Sequence, residues 1–183
     1  MRQDCEMKVN RNGQAEVLAA DQLDELFATL PHPHRLIAAI CYYTSCRVSE
    51  AISLQVDDLS NGRIIFRRAN TKQKRTKEIS IPSKLQAELD LVNLPQTGYL
   101  FPGKYGGHIA RQSVDHAIRK ATDYIGLQGV SSHSFRRTAI TKMYRAGVDL
   151  KTIQQRSGHA SIANVGIYIQ GLDGAADTAG ELL

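Results

Sequence analysis

The 183-residue chain has no tryptophan and only three cysteines, Cys5, Cys41 and Cys46. An odd number with no Cys-x-x-Cys spacing argues against a disulfide framework or a zinc site and fits a reducing cytosol. No apolar run approaches the ~20 residues that a membrane-spanning helix needs. The N-terminus carries Asp4 and Glu6 and does not resemble a signal peptide. No Gly-rich phosphate loop leads into a helix and no carboxylates cluster at metal-ligand spacing, so nucleotide-driven chemistry and metal-assisted hydrolysis lose support. Internal repeats and low-complexity tracts are missing too, and the lack of an RNP-like aromatic pattern disfavours an RNA-directed role.

What is present fits one soluble domain: 42% apolar residues in a chain long enough to bury a real core. Lys and Arg exceed Asp and Glu by 23 to 18, a modest surplus whose distribution says more. Arg63, Arg67, Arg68, Lys72, Lys74, Arg75 and Lys77 fall within fifteen residues, whereas Leu18 to Leu30 is acidic. One basic surface is what a binder of phosphate backbone needs.

Periodicity predicts mostly helices around one small antiparallel sheet, an α+β class. Residues 1–18 read as a tail or linker. "AADQLDELFATL" places Leu23, Leu26, Phe27 and Leu30 at helical spacing, with Asp21 as the expected cap and Pro31 and Pro33 as the stop. "HRLIAAICYYT" is apolar nearly all round and reads as a buried helix, with Tyr42 and Tyr43 in the core. A short helix follows in "CRVSEAISL", ending near Asp57 and Asp58. "GRIIFRRANTKQKRTKEISIP" reads as a β-hairpin with a long basic turn. Helical texture returns in "SKLQAELDLV", and, after a loop from Pro95 to Gly107, in "ARQSVDHAIRKATDYIG" with Val114, Ile118, Ala121 and Ile125 on one face. Further on, "SSHSFRRTAITKMYRAG" stops at Gly147, "DLKTIQQRSG" has Asp149 as cap and Gly158 as terminator, and Ser161 starts the helix expected to bear Tyr168.

Five side chains in the basic and apolar segments suit phosphate chemistry. His133 and Arg136 share one face of a helix start, where free N–H groups favour an anion. Arg47 follows a very apolar helix, and burying it calls for a carboxylate or a phosphate. Glu50, one turn on, is the structural partner, and could equally hold Arg47 for a ligand. His159 projects from a turn after Gly158, and Tyr168 follows among apolar residues, where a core role is the simpler alternative. Two guanidiniums and two imidazoles can neutralise charge on a pentavalent phosphate that a phenol attacks, and a lysine on the basic turn can protonate the departing oxygen.

These residues resemble the tyrosine recombinases, or phage-type integrases, from about Leu18 to Gln170. "TSCRVSEAISLQVDDL" looks like that family's first arginine box, and "HSFRRTAITKMYRAGVDLKTIQQRSGHASIANVGIY" like its second. The resemblance implies a catalytic domain over 19–170 in which Arg47 and Arg136 clamp the scissile phosphate, His133 and His159 hydrogen-bond to it, and Tyr168 attacks. It implies a 3′-phosphotyrosyl link and a released 5′-hydroxyl, with no cofactor, ATP or metal. The family's catalytic lysine matches Lys72 best, with Lys74 next, while Arg67, Arg68, Lys74, Arg75, Lys77 and Arg137 are the expected DNA-binding set. The implied partner is double-stranded DNA with a specific site, bound by a tetramer that is a monomer when free, in the cytoplasm and at the nucleoid on DNA. Three departures stand out: no room for the family's N-terminal clamp domain, Ser157 where a leucine is usual, and a short tail, 171–183, that could dock on a neighbour. A fragment and a compact natural form both fit, Met1 leaning toward the second. A non-catalytic DNA-binding regulator and a relaxing topoisomerase of type IB are the alternatives.

Overall fold

The computed structural model describes residues 14–72 and 74–168. Helix α1 (Ala20–Thr29) buries Leu23, Leu26 and Phe27, the stripe that the spacing predicts. Asp21 is not its cap. The N-cap is Ala19, whose N–H donates to Gln22 Oε1 at 3.0 Å, and Asp21 lies in the first turn.

Helix α2 (His34–Thr44) is the centre of the molecule, with Leu36, Ile37 and Ile40 at most 1% exposed. It packs against α3 (Val48–Ile52), α4 (Ser83–Asp90), α5 (Arg111–Tyr124) and α6 (Ser132–Arg145). Tyr42 is buried, whereas Tyr43 stays half-buried at the edge. Ser45 ends α2 in the left-handed region, at φ 53°. That reversal sets Arg47 at the N-cap of α3, a short helix that ends at Ile52 rather than near Asp57.

The sheet has three strands. The expected hairpin is β2 (Arg63–Phe66) against β3 (Lys77–Ser80), with Phe66 opposite Lys77, and a short β1 (Leu59–Ser60) adds to the other edge of β2. Asn61 and Gly62 join β1 to β2 with positive φ at both, which matches the twist of paired strands. Ile64, Phe66 and Ile79 face the core.

The last third forms a satellite layer. Asp149 caps α7 (Leu150–Ser157) by accepting from Thr152 N–H at 2.9 Å, and Gly158 ends it at φ 68°. Ser161 caps α8 (Ile162–Gly166) through Asn164 N–H. Tyr168 is not in that helix. It lies in the following turn, its N–H donating to Val165 O at 2.9 Å. Ile140, Ile153 and Val165 form a small second core, against which Tyr168 packs.

The expected N-terminal tail is partly pinned. Glu16 N–H donates to Gly129 O, Leu18 N–H to Thr138 Oγ1, and Leu18 is buried. The 171–183 tail lies outside the described residues. Mostly helical with one small antiparallel sheet, the architecture is the predicted class.

Candidate active site

Arg136, in the second turn of α6, is 2% exposed. One terminal nitrogen donates to Ser45 O, the carbonyl that the left-handed turn presents, and the other contacts His159 Nε2 at 2.8 Å. Among the described residues, no ion pair joins Arg136 to a carboxylate. Burial, and then the neighbouring charge of Arg47, pushes its pKa down. A guanidinium removed from water without a counter-charge costs several kcal/mol, on the order of what an arriving anion would offset.

Arg47 is held at two points by Glu50, itself 4% exposed. Its N–H donates to one carboxylate oxygen at 2.9 Å and its guanidinium to the other at 3.0 Å. The Arg47 side chain, 25% exposed, still lines a pocket of about 40 Å³ together with His133, Arg136 and Arg111. Arg111 and His133 also line a cleft of about 850 Å³ along the starts of α5 and α6. Three guanidiniums, of which Arg111 also pairs with Asp115, an exposed imidazole and the N-terminus of α6 therefore converge on a space open to a polyanion.

His159 follows the Gly158 turn. Its ring contacts Arg136 on one side, and Ser157 Oγ lies 2.7 Å from Nδ1. Burial first, then Arg136, Arg47 and Lys77, pulls its pKa down to about 3, so the ring is neutral at physiological pH. The Tyr168 ring stands beside it, 5.1 Å between centroids, and lies within electrostatic reach of Arg136. Tyr168 is thus both a packing residue of the small core and a phenol beside the two histidine-arginine partners.

The lysines are arranged differently from expectation. Lys72 and Lys74 are exposed on the turn between β2 and β3, with Arg68 and Arg75. Lys77, expected at the DNA surface, turns inward from β3: its Nζ donates to Arg156 O at 3.1 Å and lies 4.7 Å from the Phe66 ring centroid. Burial brings its pKa down to about 8, with Arg136 and Arg156 adding to the shift and Cys46 and Glu50 opposing it. The signal was in the sequence, because Lys77 shares its strand face with buried Ile79. Arg67 pairs with buried Asp58, and Arg137 donates to Ala15 O at 2.7 Å, so both have protein partners already.

A sequence model described as the Phage integrase family matches residues 16–174. The chain belongs to the phage integrase family. This integrase-family chain is 32% identical over 159 residues to a Sinorhizobium fredii protein named integrase/recombinase y4qK, covering 84% of this chain and 52% of that protein. It thus spans about half the length of that curated relative. The catalytic domain of bacteriophage HP1 integrase is 25% identical with a TM-score of 0.65, covering 90% of this chain and 95% of that one. XerH site-specific recombinase bound to difH substrate, in a pre-cleavage complex, shares the fold at TM-score 0.67 and 20% identity, over 92% of this chain and 53% of that one. The fold is that of a tyrosine recombinase catalytic domain.

Proposed function

We propose that this integrase-family chain cleaves and rejoins DNA at a specific site through a 3′-phosphotyrosyl intermediate. The observation that carries this reading is Arg136: buried, without a carboxylate partner among the described residues, and in contact with an imidazole beside Tyr168. A structural arginine in that position would be expected to meet an acid.

In this reading a DNA phosphate enters the pocket between Arg47 and Arg136, whose forks match its non-bridging oxygens. His133, at the start of α6, donates to the same phosphate. The Tyr168 phenol gives up its proton and its oxygen attacks phosphorus, the bond to the 5′-oxygen breaks, and that oxygen takes up a proton, so none is gained or lost overall. Lys72, carried on the turn between β2 and β3, is the proposed proton donor. Charge growing on the phosphorane meets fixed positive groups in a partly buried site, where they act more strongly than in water. The tyrosyl ester keeps the energy of the broken bond, so a 5′-hydroxyl from another strand can reverse the step. The sequence of bond changes calls for neither ATP nor a metal. The partner is double-stranded DNA, engaged by four copies on the site and by a monomer before binding, in the cytoplasm and at the nucleoid.

The test is covalent capture on nicked duplexes bearing the recombination site. The wild-type chain should give a denaturant-resistant protein–DNA adduct, and Tyr168→Phe none. Salt-sensitive binding with no adduct on any site-bearing or supercoiled DNA would replace this reading with that of a DNA-binding regulator. Relaxation of plasmids lacking a site would favour a topoisomerase.

A further inference from the structure

Ser157 closes α7 directly before Gly158. The Ser157 side chain is 1% exposed, and its hydroxyl lies 2.7 Å from His159 Nδ1 and 2.6 Å from Ile153 O. Counting protons gives each contact a direction. The same Arg136 nitrogen lies 2.8 Å from His159 Nε2 and 3.3 Å from Nδ1, and a guanidinium has only donors, so the nearer Nε2 accepts. The ring is neutral, and its single proton is therefore on Nδ1. A carbonyl only accepts, so the Ser157 hydroxyl donates to Ile153 and its lone pair receives Nδ1–H. The resulting chain of donors runs from Arg136 through His159 and Ser157 to Ile153.

That tautomer cannot serve a phosphate. A neutral imidazole donates only through the nitrogen that holds the proton, and Nδ1 is turned inward to Ser157. We propose that Ser157 is a positioning residue whose hydroxyl, able to accept or donate, lets His159 hold one tautomer with Nε2 facing Arg136 and the other with Nε2 facing an anion. In the DNA-free protein its hydroxyl accepts from Nδ1–H. When an anion enters between Arg47 and Arg136, the hydroxyl turns about its Cβ–Oγ bond and donates to Nδ1, while Nε2–H faces the anion. One proton leaves Nδ1 and one reaches Nε2 through solvent, with no net uptake. A leucine could fill the space but could neither accept nor donate. The second state rests on the phosphoryl-transfer reading above; the first concerns the DNA-free protein alone.

The test is long-range proton–nitrogen correlation on the chain labelled with nitrogen-15 histidine. DNA-free wild type should show His159 protonated on Nδ1 with a pyridine-like Nε2. Saturating orthovanadate, a mimic of pentavalent phosphate, should move the proton to Nε2. Ser157→Ala and Ser157→Leu should keep Nδ1–H in the free protein, where Arg136 still needs Nε2 as acceptor, but should shift the proton to Nε2 less completely with vanadate and form adduct on nicked DNA roughly tenfold more slowly at unchanged DNA affinity, as loss of an orienting partner does elsewhere. Ser157→Thr, which keeps a hydroxyl, should restore both. An Nε2-protonated ring in the free wild type overturns the proposal, as does a Ser157→Ala protein with the wild-type response to vanadate and the wild-type rate. A tautomer that vanadate leaves unchanged overturns its second state. Adduct persisting in Tyr168→Phe would instead remove the catalytic reading and leave the free-protein tautomer standing.

Discussion

Arg136 and His159 are each other's hydrogen-bond partners, 2.8 Å apart, in the DNA-free protein. Both are candidate ligands of the same phosphate. The site is therefore closed on itself until an anion separates the pair. It is also held in place, since Ser45 O anchors the guanidinium from one side and Ser157 anchors the imidazole from the other. The guanidinium held in this way is a preorganised positive group that needs little rearrangement once the anion has entered.

Arg136→Met tests whether the buried charge serves stability or chemistry. Replacing a buried ion pair by apolar residues of similar volume is often neutral or stabilising in other proteins, and an unpaired buried guanidinium lacks even the attraction within a pair. The thermal midpoint should stay level or rise, while the cleavage rate falls by about 10²–10³. A large drop in the midpoint would make Arg136 a structural residue.

Glu50→Gln keeps the shape of the residue that holds Arg47 and removes its charge. The Arg47 fork then loses a charge-assisted bond of roughly 1.5–3 kcal/mol in its local environment. Denaturant melts should record part of that loss, and cleavage should fall more than DNA affinity. Equal losses in rate and affinity would mean that Glu50 acts only on binding.

The pH dependence of stability follows from His159 and Lys77. Below 6.5 the unfolded chain takes up a proton that native His159 refuses until about 3, so stability falls as pH drops through that window. His159→Gln should make this acid limb shallower. For Lys77, the unfolded chain holds a proton between about 8 and 10.5 that the native chain has lost, so stability rises with pH there. Lys77→Met should be more stable than wild type at pH 7, with the advantage fading toward pH 10. Urea melts at these pH values check both signs.

Much of the fold was legible in the residues. The stripe Leu23, Leu26 and Phe27, the apolar helix α2 and the Asp149 and Gly158 boundaries follow local rules, and local rules decided them. Asp21 did not cap because the helix already begins at Ala20, which puts Asp21 inside the first turn, and spacing alone does not fix where a helix starts. The short strand β1 was missed because two residues carry no alternation, although Asn61-Gly62 marked the turn. In the site, the order of Arg47, His133, Arg136, His159 and Tyr168 pointed to one chemistry. What spacing could not reveal was the long-range contact of Lys77 with the Arg156 turn, and the contact of Ser157 with His159.

The exposed turn gives a separate prediction about binding. Arg68, Lys74 and Arg75 are exposed, while Arg67 and Arg137 have partners in the protein. Changing each of the three exposed residues to Gln should lower the slope of log affinity against log salt by about 0.9 on duplex DNA, provided that each meets a phosphate. Arg137→Gln should leave the slope unchanged.

The central claim is that the Tyr168 oxygen becomes bonded to a DNA phosphate. Peptide mapping of the covalent adduct by mass spectrometry tests it most directly. The account predicts a 3′-phosphonucleotide on the peptide that contains Tyr168. A nucleotide on any other tyrosine, or on a serine or histidine, would contradict it.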